Sequence, residues 1–437
     1  MKPASPVHLR FPGTRLPGAL LALVASLLLS GHAWGDDWPT YRHDNHRSGI
    51  SSEQLVFPLQ QDHLWMLRSD REPLPTTVGP PAHRDYWHGL NNLVPKVTHD
   101  RAFHVAVVGE RVYLGSYVSD KIYCLDAAGG SLIWDFFTGG PVRCAPTVAD
   151  GRLYAGSDDG WVYCLAAHDG SLLWKHHAGE GDAQVWGDGR LVSRSPVRTG
   201  VLVENGTAYC CAGLFPSEGV FLCALNAVTG GTGTGGYWKK AVAIAPQGYL
   251  LATASALYVP TSRTSPVIYD RSTGDYRGAF AGKGGTFALL TDDSFLYGPN
   301  LQGTVDEYPK AAGDRIATFQ GLQMVVTADM SYLVSEESIA ALDRVTRKTV
   351  WRRAESLPFS LILAGDVLFA GGESRVAALR ASDGEECWSA AVPGKAYGLA
   401  VASGRLFVST DRGSVFCFAD STVRDPEKIV AAQWTLF

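Results

Sequence analysis

An eleven-residue phrase recurs along this chain and decides what it can fold into. Cys124-Leu-Asp-Ala-Ala-Gly-Gly-Ser-Leu-Ile-Trp134 is the clearest copy, and Cys164-Leu-Ala-Ala-His-Asp-Gly-Ser-Leu-Leu-Trp174 repeats it. Two further copies run from Ala341 to Trp351 and from Ala378 to Trp388. Self-similarity at a period of about forty residues marks a repeat architecture. Within each unit the grammar is that of strands. Arg111-Val-Tyr-Leu-Gly-Ser116, Lys121-Ile-Tyr-Cys-Leu-Asp126 and Ser131-Leu-Ile-Trp-Asp-Phe136 are short runs of β-branched and aromatic residues, with Gly, Ser and Asp between them. Gly occupies the turn at 127–130 because it accepts positive φ without steric cost. A fourth strand fits ahead of each unit, as at Cys144-Ala-Pro-Thr-Val-Ala149. Four antiparallel strands per unit make one propeller blade.

The third strand of the unit appears near Ile122, Val162, Phe221, Val267, Thr304, Ser338, Arg375 and Ser414. This predicts an all-β, eight-bladed β-propeller of four-stranded antiparallel blades. The copies around Tyr269 and Val305 are degenerate and lack the Trp. The last copy lacks a clear fourth strand. His63-Leu-Trp65-Met-Leu-Arg68 reads as the missing one, so an N-terminal strand closes the ring and removes its open edges.

Residues 1–35 read as a signal peptide. Lys2, Arg10 and Arg15 precede an apolar run from Leu20 to Ser30, and Ala33 and Gly35 are the small residues ahead of a cut after Gly35. The run is too short for a stable membrane span, and no Cys follows it to take a lipid. Residues 36–437 are then one propeller domain, expected to be periplasmic or secreted, monomeric and without a membrane span. A net charge of −5 with no basic run excludes nucleic acid as the main partner.

Asp37-Trp-Pro-Thr-Tyr-Arg-His-Asp-Asn-His-Arg-Ser-Gly49 resembles the opening tag of secreted bacterial PQQ-like (quinoprotein-like) propeller proteins. The eleven-residue phrase is similar to their tryptophan-docking motif, in which the Trp of one blade stacks against its neighbour. The resemblance covers Trp38 to Phe418 and gives Trp65, Trp134, Trp174, Trp351 and Trp388 a structural, docking role. The superfamily holds both quinoprotein alcohol dehydrogenases and the BamB-type outer-membrane assembly factor, so fold alone does not choose a function.

Eight cysteines in an exported chain permit disulfides. Adjacent Cys210 and Cys211 invite comparison with the vicinal disulfide of the quinoprotein dehydrogenases. They fall on one strand, where neighbouring side chains point to opposite faces and do not bond easily. Cys211 with Cys223, across a hairpin, is the bridge to expect. Gly231-Thr-Gly233-Thr-Gly-Gly236 matches a dinucleotide fingerprint by letter, but it joins two strands with no helix to follow. His176-His177, His99-Asp100 and Asp62-His63 lack a third convergent ligand, so no metal site is expected.

Two long insertions, at about 73–101 and 177–198, enter just before an innermost strand and so lie near one mouth of the central channel. Pro141-Val-Arg143 and Pro196-Val-Arg198 occupy one repeat position, and Arg101 sits beside the corresponding one. Arg101, Arg143, Arg194 and Arg198, with Trp87 and Trp186, form the candidate binding set for an anionic or aromatic group. The plainer reading is that each Arg pairs with a local carboxylate and braces the mouth.

Two functions remain. One is a non-catalytic, BamB-like scaffold that binds a protein or cell-envelope component, with no catalytic residues and no cofactor. The other is a PQQ-dependent alcohol or sugar dehydrogenase, holding PQQ with calcium. The second needs a cofactor floor and ceiling, a calcium site and a base carboxylate. That set cannot be placed on this sequence, nor is there a CxxCH haem site, and the sequence favours binding.

Overall fold

The computed structural model of the chain describes residues 36–66, 90, 104–187, 190–261, 264–282, 284–285, 287–300 and 302–420, with only the backbone described at 63–66 and 187. The regular elements defined there are β-strands, with one three-residue 3-10 turn at Pro216–Glu218. None of the described helices is long and apolar enough to cross a membrane.

Hydrogen bonding gathers the strands into six separate four-stranded antiparallel sheets and one eight-stranded sheet, with two minor two-stranded pairings. The six sheets have the first strands Ala106–Val108, Thr147–Ala149, Leu202–Glu204, Leu251–Ala252, Phe287–Leu290 and Gln323–Val326. In the eight-stranded sheet the 17-residue strand Glu386–Ala402 is shared between two groups. Its first part pairs with Glu373–Arg380 and its last part with Arg405–Thr410. The chain is therefore a β-propeller. The N-terminal strand Gln60–Met66 pairs antiparallel with Ser414–Ala419, with Trp65 opposite Val415, and completes the last group. Any docking contact of the Trp65 side chain lies outside the described residues.

The recurring phrase is explained by packing between neighbours. The indole N–H of Trp134 donates to the Ala167 carbonyl (3.2 Å), that of Trp174 to Ala227 (3.0 Å) and that of Trp351 to Ala381 (2.9 Å). Each acceptor lies in the next unit's copy of the phrase. So does the Gly beneath each ring: a Cβ on Gly170 or Gly230 would lie 2.6 Å from Trp134 or Trp174. That Gly is doubly required, because its φ is also positive, at 74° and 72°. Trp388 has no such successor and donates to Leu59 (2.8 Å), just ahead of the closing strand.

Trp238 is a docking residue that the phrase conceals. A Cβ on Gly274 would lie 2.6 Å from its ring, so it sits on the next unit as the others do. The Gly-rich loop at 230–236 lengthens the turn between Phe221–Asn226 and Trp238–Ala241 and moves this Trp out of phase. The degenerate units are filled by other aromatics instead. Phe280 stacks on Phe295 (4.5 Å between centroids) and Tyr297 on Tyr308 (5.6 Å).

The expected Cys211–Cys223 bridge is corrected. All eight cysteines are free thiols. Cys223 sits opposite Cys210, whereas Cys211 faces Leu222 in the ladder. Strand alternation puts Cys211 in the adjacent core, away from Cys210 and Cys223.

Candidate functional site

The first strand of each sheet lines the centre of a propeller, where its backbone groups need partners. Residues 38–50 supply them. Trp38 exchanges backbone hydrogen bonds with Val107 (2.7 and 2.8 Å), and the Pro39 carbonyl accepts from Val148 (2.8 Å). The Asn45 side chain donates to Val203 (2.8 Å), and the His46 carbonyl accepts from Leu290 (2.9 Å). The Gly49 carbonyl accepts from Leu363 (2.8 Å), and Ile50–Ser51 pairs parallel with Leu363 and Ala364. One short segment thus ties together sheets spread over the whole chain and plugs the channel. It lies where the inner strands end, since Gly109, Gly365 and Gly404, in the turns that follow them, donate to Asp37, Ser51 and Glu53.

Two buried arginines hold the plug. Arg42 donates to the carbonyls of Arg47 (2.9 Å), Leu361 (3.0 Å) and Met324 (2.7 Å). Arg47, 1% exposed, donates to Leu250 (3.0 Å) and, within the plug, to Thr40 and Asp44 (3.0 Å each). Its Nη2 has no hydrogen-bond partner. Burial pushes the Arg47 guanidinium down to about 10, which leaves it charged at neutral pH. Tyr41 of the plug stacks on Tyr249 (3.7 Å) and meets His104 edge-on (4.6 Å). Burial and the nearby Arg42 push His104 down to about 4, so its imidazole is neutral. Beside this floor is a cavity of about 20 Å³ lined by Tyr41, Arg42, His104, Gln323, Ser360 and Tyr397. Such a space holds about one water.

Of the sequence-predicted arginines, Arg143 and Arg198 lie at the opposite end, where the inner strands begin. Arg143 and Arg198 occupy equivalent positions: the Val142 amide donates to Ser116 (3.1 Å) and the Val197 amide to Ser157 (3.0 Å). Both guanidiniums converge on the fully buried Asp158 carboxylate, at 2.6 and 2.8 Å. Arg143 also lies over the Tyr117 ring (4.1 Å). The bracing reading therefore describes these two side chains. Sequence reasoning missed Asp158, although two equivalent Pro-Val-Arg segments signal a shared carboxylate. Desolvation pushes the thiol of Cys144, next to Arg143, up to about 12, which keeps it protonated at neutral pH.

Within the insertion at about 177–198, Gln184–Gly187 and Arg190–Ser193 pair as two antiparallel strands of a hairpin. Two contacts tie its second strand to the blades below. The Ser193 amide donates to the Asp158 carbonyl (2.8 Å), and Arg190 pairs with Asp120 (2.6 Å). Val192 is buried, whereas the directly opposed pair Trp186 and Leu191 is 74% and 54% exposed. Arg194 is exposed at the hairpin's foot. Trp87 and Arg101 lie outside the described residues. Among the described residues no group of three or more His, Cys, Asp or Glu is placed to hold a metal.

A family model described as outer membrane protein assembly factor BamB matches residues 76–230 and 300–427. No curated protein matches the sequence. BamB from Moraxella catarrhalis is similar in structure, with a TM-score of 0.58 at 14% identity, covering 83% of this chain and 100% of that one. Quinohemoprotein alcohol dehydrogenase from Comamonas testosteroni gives 0.63 at 14% identity over 92% and 82%. A europium-containing methanol dehydrogenase gives 0.62 at 11% over 88% and 98%. Identities this low speak to fold alone, and the likeness extends to an assembly factor and to dehydrogenases. The family match spans more than half of the chain, which therefore belongs to the BamB-type family of PQQ-like β-propellers.

Proposed function

We propose that this chain is a non-catalytic, extracytoplasmic binding propeller whose partner is a protein or cell-envelope component. The partner docks on the hairpin of residues 184–193. The observation that carries the reading is Trp186, a large aromatic held out to solvent on a hairpin that is itself braced. Solvent exposure of that size makes no contribution to the core, and Trp anchors are the residues that dominate protein interfaces. Presentation on a braced hairpin also lowers the ordering cost of binding. The dehydrogenase alternative is less favoured because the chain's own Tyr41, Arg42 and Arg47 occupy one end of the channel.

The test compares Trp186→Ala with the parent in melting temperature and in quantitative capture of partners from envelope extracts. The melting temperature is expected to hold, while affinity for the captured partner falls by about 2 kcal/mol, or roughly thirtyfold. Arg143→Gln with Arg198→Gln should do the reverse. It leaves Asp158 buried without its cations, at a cost of about 3–5 kcal/mol, with the same partner captured at temperatures where the protein is folded. Full-strength capture by the Trp186 variant sends the search for the interface elsewhere.

A further inference from the structure

The third repeat unit departs from its neighbours at two facing positions at once. In the first two units the residue after the second-strand tyrosine is Leu114 or Ala155, and it stands opposite Tyr123 or Tyr163. In the third unit the equivalent pair is Cys210 opposite Cys223. The third-strand cysteines of other units, Cys124, Cys164 and Cys417, face Tyr113, Tyr154 and Phe407 instead. Directly opposed residues project from the same face of a sheet. Cys210 and Cys223 accordingly share one core and are each 0% exposed, while Cys211 belongs to the adjacent core.

The ladder also sets their spacing. The Ala227 amide donates to the Gly206 carbonyl (2.9 Å), and alternation along the two strands makes Cys210 and Cys223 a hydrogen-bonded pair. Such pairs hold their Cα atoms about 5.5 Å apart, inside the span of about 4.4–6.8 Å that a disulfide bridges. Both strands support the insertion that carries the hairpin. The Cys223 thiol donates to the Ala178 carbonyl (3.7 Å), where the insertion begins. The Gly213 amide, just past Cys210's strand, donates to Pro196 (2.9 Å), where the insertion ends.

We propose that Cys210 and Cys223 form a cross-strand disulfide when this sheet assembles in the presence of a disulfide oxidant, and that the finished core then keeps the pair in whichever state it folded. The structure shows the reduced state. In the exchange, one cysteine attacks the oxidant's S–S bond as its thiolate and expels half of the oxidant as a thiolate. The second cysteine loses its proton, attacks the protein sulfur of this mixed disulfide and expels the other half. The protein pair gives up two electrons and two protons, and the oxidant's disulfide becomes two thiols. The lock follows from burial. Exchange needs an attacking thiolate to reach a sulfur, and neither sulfur is reachable once the core has closed.

The full chain is unfolded with reductant, then refolded in parallel in a glutathione redox buffer and under dithiothreitol. Unfolding each product in N-ethylmaleimide and weighing it intact counts its free thiols. The glutathione product should take up two labels fewer, and its digest should contain a peptide pair joined through Cys210 and Cys223. Cys211→Ala should keep that pair, and Cys210→Ala should lose it. Once folded, the bridged product should be reduced by dithiothreitol at least about tenfold more slowly than in denaturant, because reduction waits for the core to open. Equal label counts, glutathione left on either cysteine, or a bridge through Cys211 overturns the pairing. Reduction of the folded protein at the denatured rate overturns the lock. Where the chain does not refold from denaturant, cell-free synthesis with and without glutathione disulfide gives the same readings. All of these outcomes leave the hairpin reading untouched.

Discussion

Trp238 differs from the other docking tryptophans in a way that has energetic consequences. Its indole N–H has no acceptor, whereas that of Trp174 reaches Ala227. It is also only partly buried, where Trp174 is buried. Trp174→Ala should therefore cost about 3–5 kcal/mol, the range for removing a large buried aromatic. Trp238→Ala should cost clearly less, because no hydrogen bond is lost and the cavity opens to water. Denaturant melts of the two variants decide this, and equal losses contradict it. The sequence made the four phrase-ending tryptophans legible because their spacing is strict. Trp238 was hidden by the inserted glycines, and Cys210 was passed over for Cys211 because register, which sets the face of every strand residue, cannot be read from a single strand.

The plug was visible as a motif but not as an element with a task. Its contacts are non-local: Arg42 reaches Met324 and Leu361, 282 and 319 residues away. No local periodicity reports such distances, so the tag read only as a resemblance. Its chemistry is nevertheless coherent. Arg42 and Arg47 sit at φ of 53° and 59°, and Gly49 at 69°. These left-handed positions fold the segment tightly enough to meet several sheets. A Cβ on Gly49 would lie 2.7 Å from the Arg42 guanidinium, so that contact also requires Gly. Arg47→Met keeps the volume but leaves the Leu250, Thr40 and Asp44 oxygens without their donor. Hydrogen bonds to a charged group contribute about 1.5–3 kcal/mol each, and unmade ones cost more when buried. The expected loss is about 2–4 kcal/mol, read from urea denaturation. A stability within about 0.5 kcal/mol of the parent would mean that burying this cation, with one nitrogen unpartnered, already offsets what its bonds contribute.

At the scale of the whole molecule, residues 36–66 act twice. The first part ties the inner strands together, and the last part, Gln60–Met66, is the outermost strand of the final group. Between them the Leu59 carbonyl takes the Trp388 indole that no later unit can take. A bulge at Asp62 then brings its buried carboxylate to 3.7 Å from Arg405. Closure by an N-terminal strand was legible because one unit lacked its fourth strand while an orphan strand stood at the other end of the chain. The plug that precedes it was not, for want of any unit to be missing. Deleting residues up to 68 therefore does more than remove an edge strand. It exposes the edge of Ser414–Ala419, strands the Arg405 guanidinium, uncaps Trp388 and leaves the inner strands' amides without partners. The truncated chain should fail to accumulate as folded protein, or should melt early, over a broad range and with aggregation. Circular dichroism melts and size-exclusion chromatography of the truncated chain against the parent measure this. A soluble truncation that melts cooperatively at the parent's temperature would show that the ring closes without its N-terminus. The plug and the closing strand would then be accessories to a propeller held together by its own blades.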